Sequence, residues 1–268
     1  MPEGHSIRRL ALQQQKLFGG RIVRASSPQG RFSDGARMLD GHRLRSTDAV
    51  GKHLLHHYDG APALHIHLGL YGKFVTGSGA PPEPKGALRL RLVAEDTWTD
   101  LRGPTACELI EPAEIAALFA RLGPDPLRPD SDPLRAYQRL GRSRAPVAAL
   151  LMDQQVVAGI GNVYRAELLF RHRVDPFLPG RSLPADSWLA MWDDLVTLMR
   201  SGVRSGRIET VRPADRARKR GRLSRAEASY VYRRAGLPCR VCGTEIRTEV
   251  LVGRNLFWCP KCQGPGSF

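Results

Sequence analysis

Three features of the sequence predict an α+β fold: an amphipathic helix at the start, short Gly- and Pro-broken strand patterns to about residue 110, and a return of helical periodicity that ends in two Cys-x-x-Cys pairs. The first two make a β-sandwich or barrel with a leading helix. The third makes a helical part followed by a small cysteine hairpin. A chain of 268 residues is long enough for one or two domains with real cores.

In chain order, Ile7, Leu10, Ala11, Gln14, Leu17 and Phe18 follow helical spacing after Pro2-Glu3, and Gly19-Gly20 ends the run. Strand patterns follow at Arg21 to Ala25, Ala49 to Tyr58, Ala63 to Leu68, Lys73 to Thr76 and Leu88 to Val93. Helical patterns occupy Ala113 to Leu122, Pro133 to Leu140, Pro146 to Asp153, Val163 to Arg171 and Asp186 to Ser201. The turn-rich stretch Gly123 to Pro129 is a rigid connection, with the domain boundary a little before it. The expected divisions are 1–112, 113–225 and 226–268.

Charge narrows the function classes. Lys and Arg number 41 against 26 acids, and the last 69 residues hold 16 of those bases with 5 acids. Such an excess favours a polyanion, nucleic acid before an anionic membrane surface. The densest run, Arg212 to Arg225, carries seven bases and one Asp without apolar periodicity, which suits a loop or arm. No stretch of 18 apolar residues occurs and the start lacks a signal peptide, so membrane spanning and classical secretion are excluded and a cytoplasmic location is expected.

Cys239, Cys242, Cys259 and Cys262 form two pairs around strand-like runs at Ile246 to Val250 and Asn255 to Trp258. Four thiolates at the base of a hairpin suit one tetrahedral Zn2+ with every position filled, a structural site; two disulfides are the alternative. Cys107 is a fifth thiol, expected as a small buried apolar residue.

At the other end, removal of Met1 would leave Pro2 as a secondary amine able to attack an aldehyde. A helix starting just after it would lower the pKa of that amine. Glu3 could then move protons. Only six bases are Lys, so Lys52, in the strand pattern Ala49 to Leu55, is a candidate point charge on a phosphate or sugar; a solvent-facing strand Lys is the other reading. Gly159-Ile160-Gly161 is expected to place Asn162 at a helix N-cap, offering backbone N–H groups and an amide to an anion. Arg254 stands at the tip of the cysteine hairpin, where a guanidinium could grip a phosphate.

The Pro-Glu start, the Lys, the segment Gly159-Ile160-Gly161-Asn162-Val163-Tyr164-Arg165, the hairpin Arg and the four cysteines together resemble the Fpg/Nei family of DNA glycosylases along nearly the whole chain, and its Nei branch more than Fpg. The resemblance implies an N-terminal β-sandwich behind a leading helix, a helix–two-turn–helix domain and a zinc-finger hairpin. It implies a monomer acting on double-stranded or bubble DNA with oxidised bases or abasic sites, by base flipping, glycosidic cleavage and β/δ-elimination. Pro2 would be the nucleophile and Glu3 the general acid/base. Lys52 would assist at phosphate and sugar, while Asn162, Arg254 and His67 would touch phosphates and Leu70 and Tyr71 would wedge into the stack. Leu70, where Fpg proteins have Met, favours oxidised pyrimidines; an Fpg-like purine preference or a noncatalytic binder are the alternatives. Two departures stand out. Gly69 takes the place of a Gln in the wedge, and His5-Ser6 replaces a Pro-Glu, so a second carboxylate is missing. His53, His56, His57, His65 and His67 are expected to be satisfied structural histidines rather than a second metal site.

Overall fold

The computed structural model describes residues 2–216, 221, 223–224 and 226–264. It divides into two compact units, Met1–Arg121 and Leu122–Phe268.

The first unit opens with α1 (Gly4–Phe18), whose residues Ile7, Ala11 and Phe18 are buried on one face. Two four-stranded antiparallel sheets follow. One has the order β1 (Arg24–Ser26), β6 (Leu88–Ala94), β7 (Thr97–Arg102), β5 (Lys73–Ser78). The other has β2 (Leu44–Val50), β3 (His53–Tyr58), β4 (Ala61–His67), β8 (Ala106–Ile110). Their shared core includes Leu44, Leu54, Leu64 and Ile66 from one sheet, Leu90, Leu92 and Leu101 from the other, and Phe18 from the helix. This is a sandwich with a leading helix, as expected. α2 (Ser33–Leu39) and α3 (Pro112–Arg121) complete the unit.

The strand bounds differ in three places. The pattern at Arg21 to Ala25 becomes β1 only from Arg24, with Ile22 in an isolated bridge to Arg43. The run Ala49 to Tyr58 is two strands, because Gly51 at φ +58° turns the chain between β2 and β3. β7 and β8, to which no sequence run above corresponds, are central and edge strands; Asp100 in β7 is buried between Arg91 and Arg102. Burial pushes the Asp100 carboxyl up, but hydrogen bonds from both guanidinium groups outweigh it and hold it below the usual range.

The second unit is helical: α4 (Pro133–Leu140), a single turn α5 (Val147–Leu150) where a longer helix is expected, α6 (Asn162–Arg171) and α7 (Ala185–Ser205). Trp188, Met191, Leu195 and Met199 of α7 pack with Tyr164, Leu168 and Leu169 of α6 around one core. A hairpin of β9 (Arg247–Leu251) and β10 (Arg254–Trp258) closes the unit, turning through Val252 and Gly253 at φ +52° and +66°. Among the described residues no helix is long and apolar enough to cross a membrane.

Candidate active site and nucleic-acid interface

In the first unit Glu3 is the residue on which α1 starts. Its backbone is extended, its carbonyl accepts from Ser6 N at 2.8 Å and Ile7 N at 3.3 Å, and it is wholly buried. Pro2, half-buried, therefore stands directly before the positive end of a 15-residue helix. His5, next to Ser6 where the second carboxylate is missing, is buried one residue inside that helix. Burial and then the positive amino terminus pull it down to about 4, so it is a neutral imidazole near neutral pH. Met1 lies outside the described residues, and with it the question of its removal.

Lys52 is not a strand residue. It occupies the turn after Gly51, half-buried, because a strand running straight through would need a negative φ at that glycine. The turn brings it beside His53, whose partner across the β3/β4 pair is His67. Leu70 and Tyr71 follow in the turn before β5, with Tyr71 85% exposed and Leu70 42% exposed. A core pair at a strand end would be buried, so these two side chains face outward. Gly69 at φ +64° explains the departure beside them: a Cβ there would lie 1.9 Å from Thr105 Oγ1, so a Gln fits only if Thr105 moves.

In the second unit the glycine turn is held by Gln154, whose side chain accepts from Gly159 N at 2.9 Å and donates to Ile160 O at 3.0 Å. The N-cap is Gly161, and Asn162 is the first residue of α6 rather than its cap. The reason is local: the Asn162 side chain is committed across the fold, its Nδ2 donating to Asn255 O at 2.9 Å and its Oδ1 accepting from Arg165. Asn255 adjoins Arg254, so Asn162 and Arg254 come together through the hairpin backbone. Arg254, half-buried, pairs with Leu251 as the first residue after the turn.

α6 also carries three charged residues that no apolar pattern reveals. Arg165 is wholly buried and donates to Asn255 O at 3.2 Å. Glu167, equally buried, accepts from the backbone N–H of Tyr230, Val231 and Tyr232 at 2.7 to 2.8 Å and from the Thr210 hydroxyl. Arg171 grips Asp194 of α7 at 2.6 Å through two nitrogens. Glu167 thus fastens the chain on both sides of the basic run Arg212 to Arg225. Residues 217–220, 222 and 225 of that run lie outside the described residues.

The four sulfurs of Cys239, Cys242, Cys259 and Cys262 lie within 4.8 Å of one another, with Cys242 and Cys259 at 3.5 Å and Cys239 and Cys262 at 3.9 Å. Four sulfurs about 2.3 Å from a tetrahedral Zn2+ stand about 3.8 Å apart, so the set fits the ion. Val241 N and Cys262 N each approach a cysteine sulfur at 3.4 Å, donors that favour thiolate. Tyr232, Phe257 and Ile246 pack around the cluster. The four cysteines form a site for one structural Zn2+, with all four positions filled by sulfur and none open for chemistry. Cys107 is buried in the sandwich core, where burial raises its thiol to about 12.

Comparison with known proteins matches three successive segments. Residues 1–107 match the formamidopyrimidine-DNA glycosylase N-terminal domain, 122–212 its H2TH domain, and 236–264 the zinc finger found in FPG and IleRS. "Endonuclease 8 1" of Mycobacterium bovis is 55% identical, covering 98% of this chain and 100% of that protein. "Formamidopyrimidine-DNA glycosylase" of Thermus thermophilus is 33% identical over 85% of each chain. A Lactococcus lactis FPG mutant, solved with a Fapy-dG containing DNA, shares the fold at a TM-score of 0.82 and 23% identity, over 98% of this chain and 100% of that one.

Proposed function

The chain belongs to the Fpg/Nei family of DNA glycosylases, and from that premise we propose that it is a bifunctional glycosylase and lyase that removes oxidised pyrimidines through a Schiff base on Pro2. The observation that carries the reading is the start of α1: an imino acid directly before the helix, followed by the buried Glu3. With Met1 removed, the Pro2 amine attacks C1′ of an extruded nucleotide, the glycosidic bond breaks and the base leaves with a proton relayed by Glu3. The C1′–O4′ bond then opens, with O4′ taking a proton through Glu3, and the iminium left at C1′ acidifies C2′ so that β- then δ-elimination severs the strand.

The remaining residues take supporting roles. Lys52 and His67 meet a phosphate and the sugar in the first unit. In the second, the hydrogen on Asn162 Nδ2 that Asn255 does not take, together with Arg254, holds flanking phosphates. Leu70 and Tyr71 occupy the gap in the stack, which their exposure permits. Leu70 in place of Met supports the pyrimidine preference. Segment 1–112 serves the chemistry, 113–225 the grip on DNA and 226–268 the hairpin contact.

Borohydride trapping tests this on duplexes holding an abasic site, 5,6-dihydrouracil or 8-oxoguanine, with Pro2→Gly and Glu3→Gln alongside. A covalent complex on dihydrouracil that Glu3→Gln abolishes is the expected result. Trapping on 8-oxoguanine alone would place the substrate among purines. Binding without trapping, with Met1 shown absent by intact mass, would leave a noncatalytic damage binder.

A further inference from the structure

Three imidazoles meet on one face of the β3/β4 pair. His53 stacks on His65 with ring centroids 5.1 Å apart and lies 5.1 Å from His67 at a tilt. They are also wired in series. Glu108 Oε1 of β8 lies 2.9 Å from His65 Nδ1, and His65 Nε2 lies 2.9 Å from His53 Nδ1. A carboxylate only accepts, so His65 donates from Nδ1; a neutral His65 then has a bare Nε2, which accepts from His53 Nδ1. His53 is left with a bare Nε2. Thus a single carboxylate fixes the tautomer of both rings.

The chain passes from an exposed carboxylate through a buried ring to a half-buried one. The Glu108 side chain is 57% exposed and that of His65 only 9%. At its far end His53 adjoins Lys52 in sequence and faces His67 across the sheet. Burial drives His53 down to about 3, and His65, His67, Arg121 of α3 and Lys52 each push the same way; Glu108 is the one acid in the chain. His67 is lowered by burial and then by His65 and Lys52. The free protein therefore keeps His53 and His67 neutral beside a lysine. A phosphate brought to Lys52 and His67 reverses the sign of that local field, and the imidazole whose lone pair is bare is the group able to respond.

We propose that Glu108, His65 and His53 form a proton-uptake relay for the phosphate site of Lys52 and His67, in which His53 takes one proton at Nε2 when a DNA phosphate docks and Glu108 carries the counter-charge. The inference rests on the phosphate role given above to Lys52 and His67. The balance is simple: the proton comes from water or buffer, no covalent bond between heavy atoms changes, and the hydrogen bonds to His65 and Glu108 keep their donors and acceptors. Cationic His53 is then a positioning residue, adding charge behind the phosphate only when the phosphate is present. Free protein avoids the repulsion of two cations side by side.

Calorimetric titration of the full chain with a duplex containing a tetrahydrofuran abasic analogue tests this near pH 7, in two buffers of different ionisation heat. Two nearly isosteric variants separate protonation from structure. His53→Asn keeps a hydrogen-bonding group against His65 but cannot take the proton, and Glu108→Gln keeps the bond to His65 without the charge. For the unaltered chain the binding heat should change with buffer in proportion to a proton taken up, and the affinity should tighten as pH falls from 8 to 6, by up to about tenfold per unit. His53→Asn should bind with the same heat in both buffers and a flat pH dependence, and Glu108→Gln should roughly halve the buffer dependence. Equal heats for the unaltered chain, or an unchanged buffer dependence in His53→Asn, would overturn the relay while leaving the glycosylase reading intact. Failure of the unaltered chain to bind the duplex would overturn both.

Discussion

In the first unit His53 and His56 are held neutral, whereas in the second the buried charged groups are wrapped in partners. His56, wholly buried in β3, is lowered to about 3 by burial and then by His57, and His53 reaches a similar value. The second unit instead has Glu167 with its four donors and Asp194 between Arg171 and His172. For Asp194, burial pushes the carboxyl up, but hydrogen bonds from His172 and Arg171 outweigh this and hold it well below the usual range. The difference follows from how each unit satisfies its backbone. Sheet strands consume their N–H groups in ladders and have none to offer a buried charge. The second unit has long irregular segments, and three successive N–H groups at 230–232 need an acceptor, which one carboxylate provides. Asp100 is the exception in the first unit, and its partners are side chains for that reason.

The largest test of this contrast is loss of zinc. Cys259→Ser should release the ion, loosen β9 and β10 and weaken DNA binding through Arg254, removing several kcal/mol from the second unit while the first stays folded. Metal content by atomic emission and two-stage thermal melting read this out, and full zinc occupancy in the variant would refute it. Next comes Glu167→Gln, which aims an amide at N–H donors and should destabilise the second unit by about 2–4 kcal/mol. Hydrogen exchange at 230–232 is the sharper measure, because those amides lose their acceptor.

Acid should separate the units by pH. The unfolded chain protonates His53 and His56 below about 6.5, and the folded first unit does not until about 3. Its stability is therefore complete above 6.5 and falls as pH drops, by roughly 2–4 kcal/mol by pH 5. The contribution of Asp194 is present above about 4 and is lost only as pH falls through its depressed value. Denaturant melts at pH 7 and 5 should show the first unit weakening and the second holding; equal losses would remove the contrast. The smallest effect on stability is expected from Tyr71→Ala, within about 0.5 kcal/mol because the ring is exposed, while trapping on a lesion duplex should fall several-fold.

What the sequence discloses follows the same division. The cysteine spacing, α1 and the antiparallel strands are legible because each is a local period or a fixed ligand interval. β7 is not, since Asp100 and the threonines around it read as a break until Arg91 supplies the ionic partner from the neighbouring strand. The turn at Lys52 hides in an apolar run that only the left-handed Gly51 interrupts. Of the proposed site, Pro2, Glu3, Lys52, Asn162 and Arg254 are visible as residue types. Their settings are not: Asn162 is bound to a carbonyl 93 residues away, and Arg165 and Glu167 look like the wet face of a helix although both are wholly buried. The relay Glu108, His65 and His53 is equally invisible, because its members meet only through strand register.

The knot at Glu167 has a consequence for chain architecture. Thr210 N donates to Ala228 O at 2.8 Å, and the Thr210 hydroxyl shares Glu167 with the amides that follow Ala228. The basic run thus leaves and re-enters the fold at one point, like a bead closed by its own clasp. Its entry belongs to the same clasp, since Arg212 N donates to the Tyr230 hydroxyl at 2.9 Å and that hydroxyl donates to Asp215, so an exchange at Arg212 or Asp215 reaches the framework that Glu167 fastens.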